Sequence, residues 1–438
     1  MIPIPPLPNS SRVNAAGHLE VAGCDVVELA REYGTPLFIY DEQQIRERCQ
    51  EYRLAFSSRT NDFEIVYASK AFTCLAMCQL LAEENMSLDV ASGGELFIAL
   101  KTWFPPEHMY MHGNANSRDE LQRAVSSKIG YIVADSLDEL SIANGLAGEQ
   151  GRKQPVLLRI TPGIEAHTHE FIQTGKLNSK FGFCLAEGKA EEAVRHALGS
   201  SNLELVGFHC HIGSQIFSTE PFRKVIGLMA DFMDLCHKKY DFNCSILDVG
   251  GGLGATYTAE DTPASVDDLA EVIVGSLRTE MTRVGLPVPH IVVEPGRSIV
   301  ANAGLTAYTV QAIKTIPSEK TYIAVDGGMS DNLRPMLYQA SYEALIADRP
   351  DAVPSMTADV AGKHCESGDI LVKEARLPEP RPGDVLITPA TGAYGYSMSN
   401  NYNGQPRPAV LFVKEGTARV VIKRETYEDL VHLQERME

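Results

Sequence analysis

Short stretches of this 438-residue chain carry residue types that do chemistry when they meet. "FEIVYASK", Phe63 to Lys70, is an apolar run rich in β-branched residues with an ammonium group at its tip. A solvated loop lysine is the ordinary explanation, but a lysine delivered by a buried strand can also be an amine nucleophile for a carbonyl. "LDVGGGLGA", Leu247 to Ala255, ends a second such run in glycines. Gly250, Gly252 and Ala255 satisfy the dinucleotide pattern G-x-G-x-x-[GA], with Asp267 and Asp268 downstream. A dinucleotide site needs a helix to begin within the glycine loop, and here "TYTAEDTPAS" precedes any helical pattern. The spacing points instead to backbone N–H groups wrapped around a single phosphate. In "VEPGRS", Pro295 and Gly296 fix a tight turn that sets Glu294 and Arg297 in defined directions. The two either pair with each other or, beside a phosphate loop, Arg297 faces an anion and Glu294 a cationic ring nitrogen.

Positioning these groups requires elements that end in one place. The runs "FEIVYAS", "SLDVAS", "MYMHG", "YIVADS", "PVLLRITP", "ELVGFHCHIGS", "SILDVGGG" and "HIVVEPGR" are eight strand candidates separated by helix-length segments. Near-continuous apolar strands alternating with helices predict a parallel sheet covered by helices. Eight of them favour an α/β fold of the (β/α)8 TIM-like barrel type, spanning 36–300. Lys70, Ser92, His112, Asp135, Arg159, His211, Gly252, Glu294 and Arg297 all fall at or just past the C-terminal strand ends, where such a barrel has its mouth. From 301 to 438 the texture turns β-rich without regular helices, as in "LTAYTVQAIKTI" and "RPAVLFVKEGTARVVIK", which predicts an antiparallel sheet or barrel domain that residues 1–35 can join. A lysine, a phosphate cradle and a carboxylate on one mouth make pyridoxal 5'-phosphate the natural cofactor. Lysine forms a Schiff base with its aldehyde, and a carboxylate keeps its ring nitrogen protonated so that the ring absorbs electrons.

Composition removes other classes. Lys+Arg 39 against Asp+Glu 57 gives a net charge of -18, which disfavours nucleic-acid binding while leaving room for a local arginine site. No apolar run approaches the roughly 18 residues of a membrane span, so no membrane partner is expected. The proline-rich start "MIPIPPLPNSSR" lacks a signal-peptide pattern, and a cytoplasmic location is expected. Nine cysteines, sparse and odd in number, do not suggest a disulfide framework. Cys74 and Cys78, four apart on a helical pattern without a second ligand pair, read as core.

In this order, "YASKAF", "DVASGGEL", "HGNANS", "AHTHEFIQTG", "SKFG", "GFHCHIGSQI", "DVGGGLG", "EPGRS", "VDGGMSDNLRPMLY", "CESGD" and "GAYGYSMSNNYN" run nearly the length of the chain. Together they resemble the fold-type III pyridoxal phosphate decarboxylases, and among them the diaminopimelate decarboxylases. The resemblance implies Lys70 as the Schiff-base lysine and His211 stacked on the cofactor ring. It implies that Asp89, Ser214, Gly252, Glu294, Pro295, Gly296 and Arg297 hold phosphate and ring, with no metal. It implies Arg297, Arg334, Tyr338 and Glu366 as substrate contacts and Tyr394 as a contact of both cofactor and substrate. Cys365 would be the general acid for Cα, reaching across from the second subunit of a homodimer. His209 is expected to pack or hydrogen-bond. Asn116, Ser330 and Lys363 depart from the family pattern, where lysine, asparagine and proline are common at those places.

The cofactor permits racemisation, transamination or decarboxylation. A carboxylate at Glu294 strengthens the electron sink and favours loss of CO2, and the bond held perpendicular to the ring is the one that breaks. A second carboxylate on the substrate suits a bidentate arginine such as Arg334, while Glu366 can meet an ammonium. The expected reaction is decarboxylation of meso-2,6-diaminopimelate to L-lysine, the last step of lysine biosynthesis. Alternatives are another diamino acid, of the ornithine or arginine type, a non-catalytic homologue, and a nicotinamide dehydrogenase.

Overall fold

The computed structural model describes residues 6–163 and 180–437; the motif "AHTHEFIQTG" and the first residue of "SKFG" lie outside them. These residues form two compact units. One contains the described residues of Cys49–Gly254 together with Pro263–Gly296, and the other those up to Arg48, Ala255–Thr262 and those from Arg297 onward.

The first unit is a closed barrel of eight strands: β1 (Phe63–Ala68), β2 (Ser87–Val90), β3 (Met109–Met111), β4 (Tyr131–Ala134), β5 (Gln154–Thr161), β6 (Leu203–Cys210), β7 (Ile246–Asp248) and β8 (His290–Val293). These are the eight apolar runs, each paired in parallel with its neighbours. β8 pairs with β1 through Val293 and Ile65, and β4 pairs with β5 through Val133 and Leu157. Parallel strands need crossovers, and helices supply them, so the strands are buried on both faces and read as continuous apolar runs. Val66, Tyr110, Val133, Leu157, Ile246 and Val292, from six of the strands, fill the interior. Polar residues just past several strands cap the following helix: Ser92 Oγ accepts from Glu95 N at 3.2 Å, and Ser136 Oγ from Glu139 N at 3.2 Å. Ser92, expected at the mouth by its position, thus has a helix-capping role.

The second unit is organised by the strand Gly304–Ile316. Its first half pairs antiparallel with Leu37–Asp41 and Val385–Pro389, and its second half with Lys320–Val325. Leu37–Asp41 falls within the 36–300 span read as barrel, yet its edges are taken up in this sheet. The sheet is mostly antiparallel, but Lys320–Val325 pairs parallel with Met356–Ala361, and Leu37–Asp41 parallel with Ala409–Lys414. Those partners arrive through long connections, which a hairpin reading of the sequence does not anticipate. Residues of the N-terminal segment, including Leu7, Leu19, Val21 and Val26, share a core with Leu305, Ile387 and Leu411.

Candidate active site

Barrel closure brings Lys70 to the Glu294 turn. The Ala68 N–H donates to the Pro295 carbonyl at 3.1 Å, and a Cβ on Gly296 would meet the Ala68 and Ala71 Cβ atoms at 3.0 and 3.1 Å. The turn Ser69–Ala71 that carries Lys70 is therefore pressed against Pro295 and Gly296, with Lys70 exposed.

The loops after β6 and β7 are laced together. Ile216 N–H donates to the Gly252 carbonyl and Gly254 N–H to the Ile216 carbonyl, each at 2.9 Å. Gly252 has φ +129°, and a Cβ there would lie 2.6 Å from the Gly213 oxygen; one on Gly251 would lie 2.1 Å from the Glu294 oxygen. Only glycine allows this approach, which sets Ser214 and Gly252 on adjoining loops. The helix Val266–Val284 begins after its N-cap Ser265, well past the glycines, so the dinucleotide geometry is absent from this loop. His211 follows β6 and is half-buried; burial and the Lys70 charge hold its imidazole well below the usual range, hence neutral.

Beneath these loops lies a buried polar layer. His112 Nε2, past β3, is 2.6 Å from Glu294 Oε1, and His209 Nε2, on β6, is 3.2 Å from Glu294 Oε2. The expectation that His209 hydrogen-bonds is met. Burial alone would raise the Glu294 pKa, but His112 and His209 outweigh it and hold the carboxyl well below the usual range. Asp248, at the end of β7, accepts from Gly250 N–H at 2.8 Å; burial, with Glu294 beside it, pushes its carboxyl well up. Asp89 is buried on β2, and burial raises its pKa against the opposing pull of His112 and Lys70. Arg159 lies 3.8 Å from Asp135 and 4.3 Å from the Phe181 ring centroid. The sequence singled out neither Asp248 nor the pairing of His112 with Glu294.

The second unit gathers the arginines. Arg297 donates to Tyr257 Oη at 2.5 Å, and its guanidinium lies 4.7 Å from the Tyr394 ring centroid. Arg334 donates to Tyr342 Oη and stands 4.5 Å from the Tyr257 ring centroid. Burial raises the phenol of Tyr257, yet Arg297 and Arg334 together pull it below its ordinary value, while burial pushes Tyr342 up to about 12. Tyr257 and Tyr342, missed in the sequence, thus hold two cations by their faces and hydroxyls. Tyr338 ends the short helix Arg334–Tyr338 and is half-buried.

Cys365 and Glu366 are exposed, whereas Arg297 and Arg334 are buried. Their loop is nevertheless anchored. Asp369 accepts from His364 N at 3.0 Å, His364 Nδ1 at 2.7 Å and Met329 N at 2.7 Å, and Cys365 N–H donates to Asn403 Oδ1 at 2.8 Å. The sequence departures are accommodated locally. Lys363 N–H donates to the Gly327 carbonyl at 2.9 Å, a bond proline lacks the hydrogen to make. Asn116 Nδ2 donates to the His112 carbonyl at 3.0 Å and to Glu139 Oε1 at 2.7 Å, and Ser330 is buried, with its carbonyl accepting from Asn400 N–H at 3.0 Å. Cys74 and Cys78 are buried in the core, as expected.

Pyridoxal phosphate fits the residues of the barrel mouth. An exposed amine, a glycine-and-serine cradle that a Cβ would fill, and a buried carboxylate kept anionic answer its aldehyde, phosphate and ring nitrogen in turn.

The profile of the pyridoxal-dependent decarboxylase family, pyridoxal binding domain, matches residues 42–301. A diaminopimelate decarboxylase of Bacillus subtilis (strain 168) is 48% identical over 427 residues, 98% of this chain and 97% of that one. The crystal structure of diaminopimelate decarboxylase from M. jannaschii in complex with L-lysine is similar, with a TM-score of 0.91, 33% identity and 98% coverage of both chains. That from Helicobacter pylori, complexed with L-lysine, has a TM-score of 0.84 and 34% identity, covering 93% of this chain and 98% of its own. The family match, the near-complete coverage and the residues at the barrel mouth agree: the chain belongs to the diaminopimelate decarboxylases, within the pyridoxal-dependent decarboxylase family.

Proposed function

We propose that this chain decarboxylates meso-2,6-diaminopimelate to L-lysine and CO2 with pyridoxal phosphate as cofactor. The observation that carries the reading is the Ser69–Ala71 turn, which carries the exposed Lys70, packed against the turn of an anionic Glu294 at the barrel mouth. When bound, the cofactor supplies an electron sink for the bond broken at Cα. Lys70 would hold it through its aldehyde, and Ser214 with the Gly251–Gly252 backbone would hold its phosphate by N–H and O–H donors. The neutral His211 offers the ring a flat face without a competing charge. Glu294 would hold a proton on the ring nitrogen, and Asp89 stands near Lys70 as a second acidic group. Arg297, Arg334, Tyr338 and Tyr394 would bind substrate. Cys365 would return a proton to Cα, with Glu366 meeting the substrate ammonium.

Because Cys365 and Glu366 lie on an anchored but exposed loop, we infer a homodimer in which each chain lends them to the other's site. No described helix is long and apolar enough to cross a membrane. All nine cysteines are free thiols, which supports a reducing, cytoplasmic setting.

Specificity rests on Arg334. Its fork is preset by the Tyr342 hydroxyl and the Tyr257 face, so a far-end carboxylate meets an ordered guanidinium. Arg334→Ala is expected to lower kcat/KM for meso-diaminopimelate about 100-fold, the worth of a charge-assisted bidentate pair. Steady-state kinetics with a substrate panel checks this; unchanged turnover of diaminopimelate would remove Arg334 as the carboxylate reader. Preferential decarboxylation of ornithine or arginine by the parent would favour the other diamino-acid reading.

A further inference from the structure

We propose that His112 is a positioning residue for this reaction: from the end of β3 it reaches across the barrel interior and holds the Glu294 carboxylate in place as an anion. This rests on the reading of Glu294 as the group that keeps a proton on the cofactor ring nitrogen.

The geometry is specific. Around the barrel, β8 is followed by β1, β2 and β3, so His112 and Glu294 follow strands that do not pair with each other. Their 2.6 Å contact therefore crosses the interior, between side chains of residues only 6% and 7% exposed. A buried carboxylate is costly unless paired and hydrogen-bonded. His112 meets one oxygen as an ion-pair contact and His209 hydrogen-bonds the other, and the two rings meet edge to face at 4.9 Å between centroids. The His112 backbone is itself fixed, since its carbonyl accepts from Asn116, whose amide also binds Glu139.

The groups facing His112 divide the charge consistently. Burial opposes its protonation, but Glu294 and Asp89 outweigh burial and raise its pKa, with Arg159 opposing them. His209 is driven down to about 4 by burial and so donates as a neutral ring. Burial and the neighbouring Glu294 push the Asp248 carboxyl well up. The Glu294 carboxyl is thus held well below the usual range, with the raised His112 at one oxygen and the lowered His209 at the other. A histidine placed for bulk alone would need no contact with that oxygen.

The test measures pyridoxal phosphate affinity of the cofactor-stripped protein by absorbance, with thermal melting as a fold control. His112→Leu removes donor and charge, while His112→Gln keeps an N–H donor. Partners that orient an essential ligand commonly carry about 10- to 100-fold in affinity or activity. His112→Leu is accordingly expected to weaken cofactor binding about tenfold or more and to lower kcat with KM little changed; His112→Gln should recover part of both. In a double-mutant cycle, adding His112→Gln to Glu294→Gln should cost little more, because His112 acts through that carboxylate. Full additivity in the cycle would overturn the proposal, as would cofactor affinity and kcat within twofold of the parent in His112→Gln and in a folded His112→Leu. A parent that binds no pyridoxal phosphate would instead overturn the assignment of Glu294 on which the proposal rests.

Discussion

Lys70→Ala is expected to abolish lysine formation, with kcat down by about 10⁴-fold or more and the fold intact. Removing the residue that holds a cofactor covalently removes its orienting effect as well as its amine, and losses of this order accompany loss of a covalent catalyst. The side chain is exposed in the middle of the Ser69–Ala71 turn, so its truncation opens no core cavity. The barrel packing that sets the turn, Gly296 against Ala68 and Ala71, uses none of the Lys70 side chain. Two measurements check the prediction together. Borohydride treatment should fix the cofactor onto the Lys70 peptide of the parent and leave the variant unlabelled, and thermal melting should show equal stability. Retained turnover in the variant would transfer the covalent role to another amine.

Glu294→Gln should be the next most damaging change, lowering kcat about 100- to 1,000-fold. The neutral amide cannot keep a proton on a ring nitrogen as a carboxylate does, and proton-holding groups commonly contribute 10²–10⁴-fold. A second effect follows from the buried layer. Glu294 is the foremost group raising the His112 pKa against burial, so without it that pKa falls and the ring gives up its proton more readily, with Asp89 the acid left to oppose burial. The readier loss of that proton lowers the cost of an unpaired buried cation, at the expense of the pairing that fixed both side chains. NMR titration of the His112 ring should show its pKa falling in Glu294→Gln, while steady-state kinetics shows kcat falling. An unchanged kcat would separate Glu294 from the electron sink.

The barrel was legible because its strands are buried on both faces. Each reads as a continuous apolar run, and the residues that end it, Lys70, Gly252 or Glu294, stand out by type. Turn chemistry was legible too: "DVGGGLG" and "EPGR" carry glycines whose Cβ atoms would strike backbone or neighbouring side chains, and that constraint is written in the residues themselves. What stayed hidden was contact across sequence distance. His112 could be placed at a strand end, but its partner, 182 positions on, follows a strand that does not pair with the one before His112. Asp248 reads as an ordinary turn aspartate until Glu294 is seen beside it. Tyr257 and Tyr342 lie in irregular segments without periodicity; only the need of a buried guanidinium for acceptors and aromatic faces could have suggested them. Leu37–Asp41 shows the same limit for the fold. Its apolar run fits a barrel strand, and only pairing with Gly304–Ile316 and Ala409–Lys414 assigns it to the sheet of the other unit.

The most direct measurement is release of CO2 from meso-diaminopimelate, with L-lysine quantified, by protein stripped of cofactor and by the same protein supplied with pyridoxal phosphate; ornithine and arginine are run alongside. Lysine and CO2 in equal amounts, formed only with the cofactor and with neither ornithine nor arginine consumed at a comparable rate, is the predicted result. Folded, cofactor-loaded protein that releases no CO2 from diaminopimelate would contradict it.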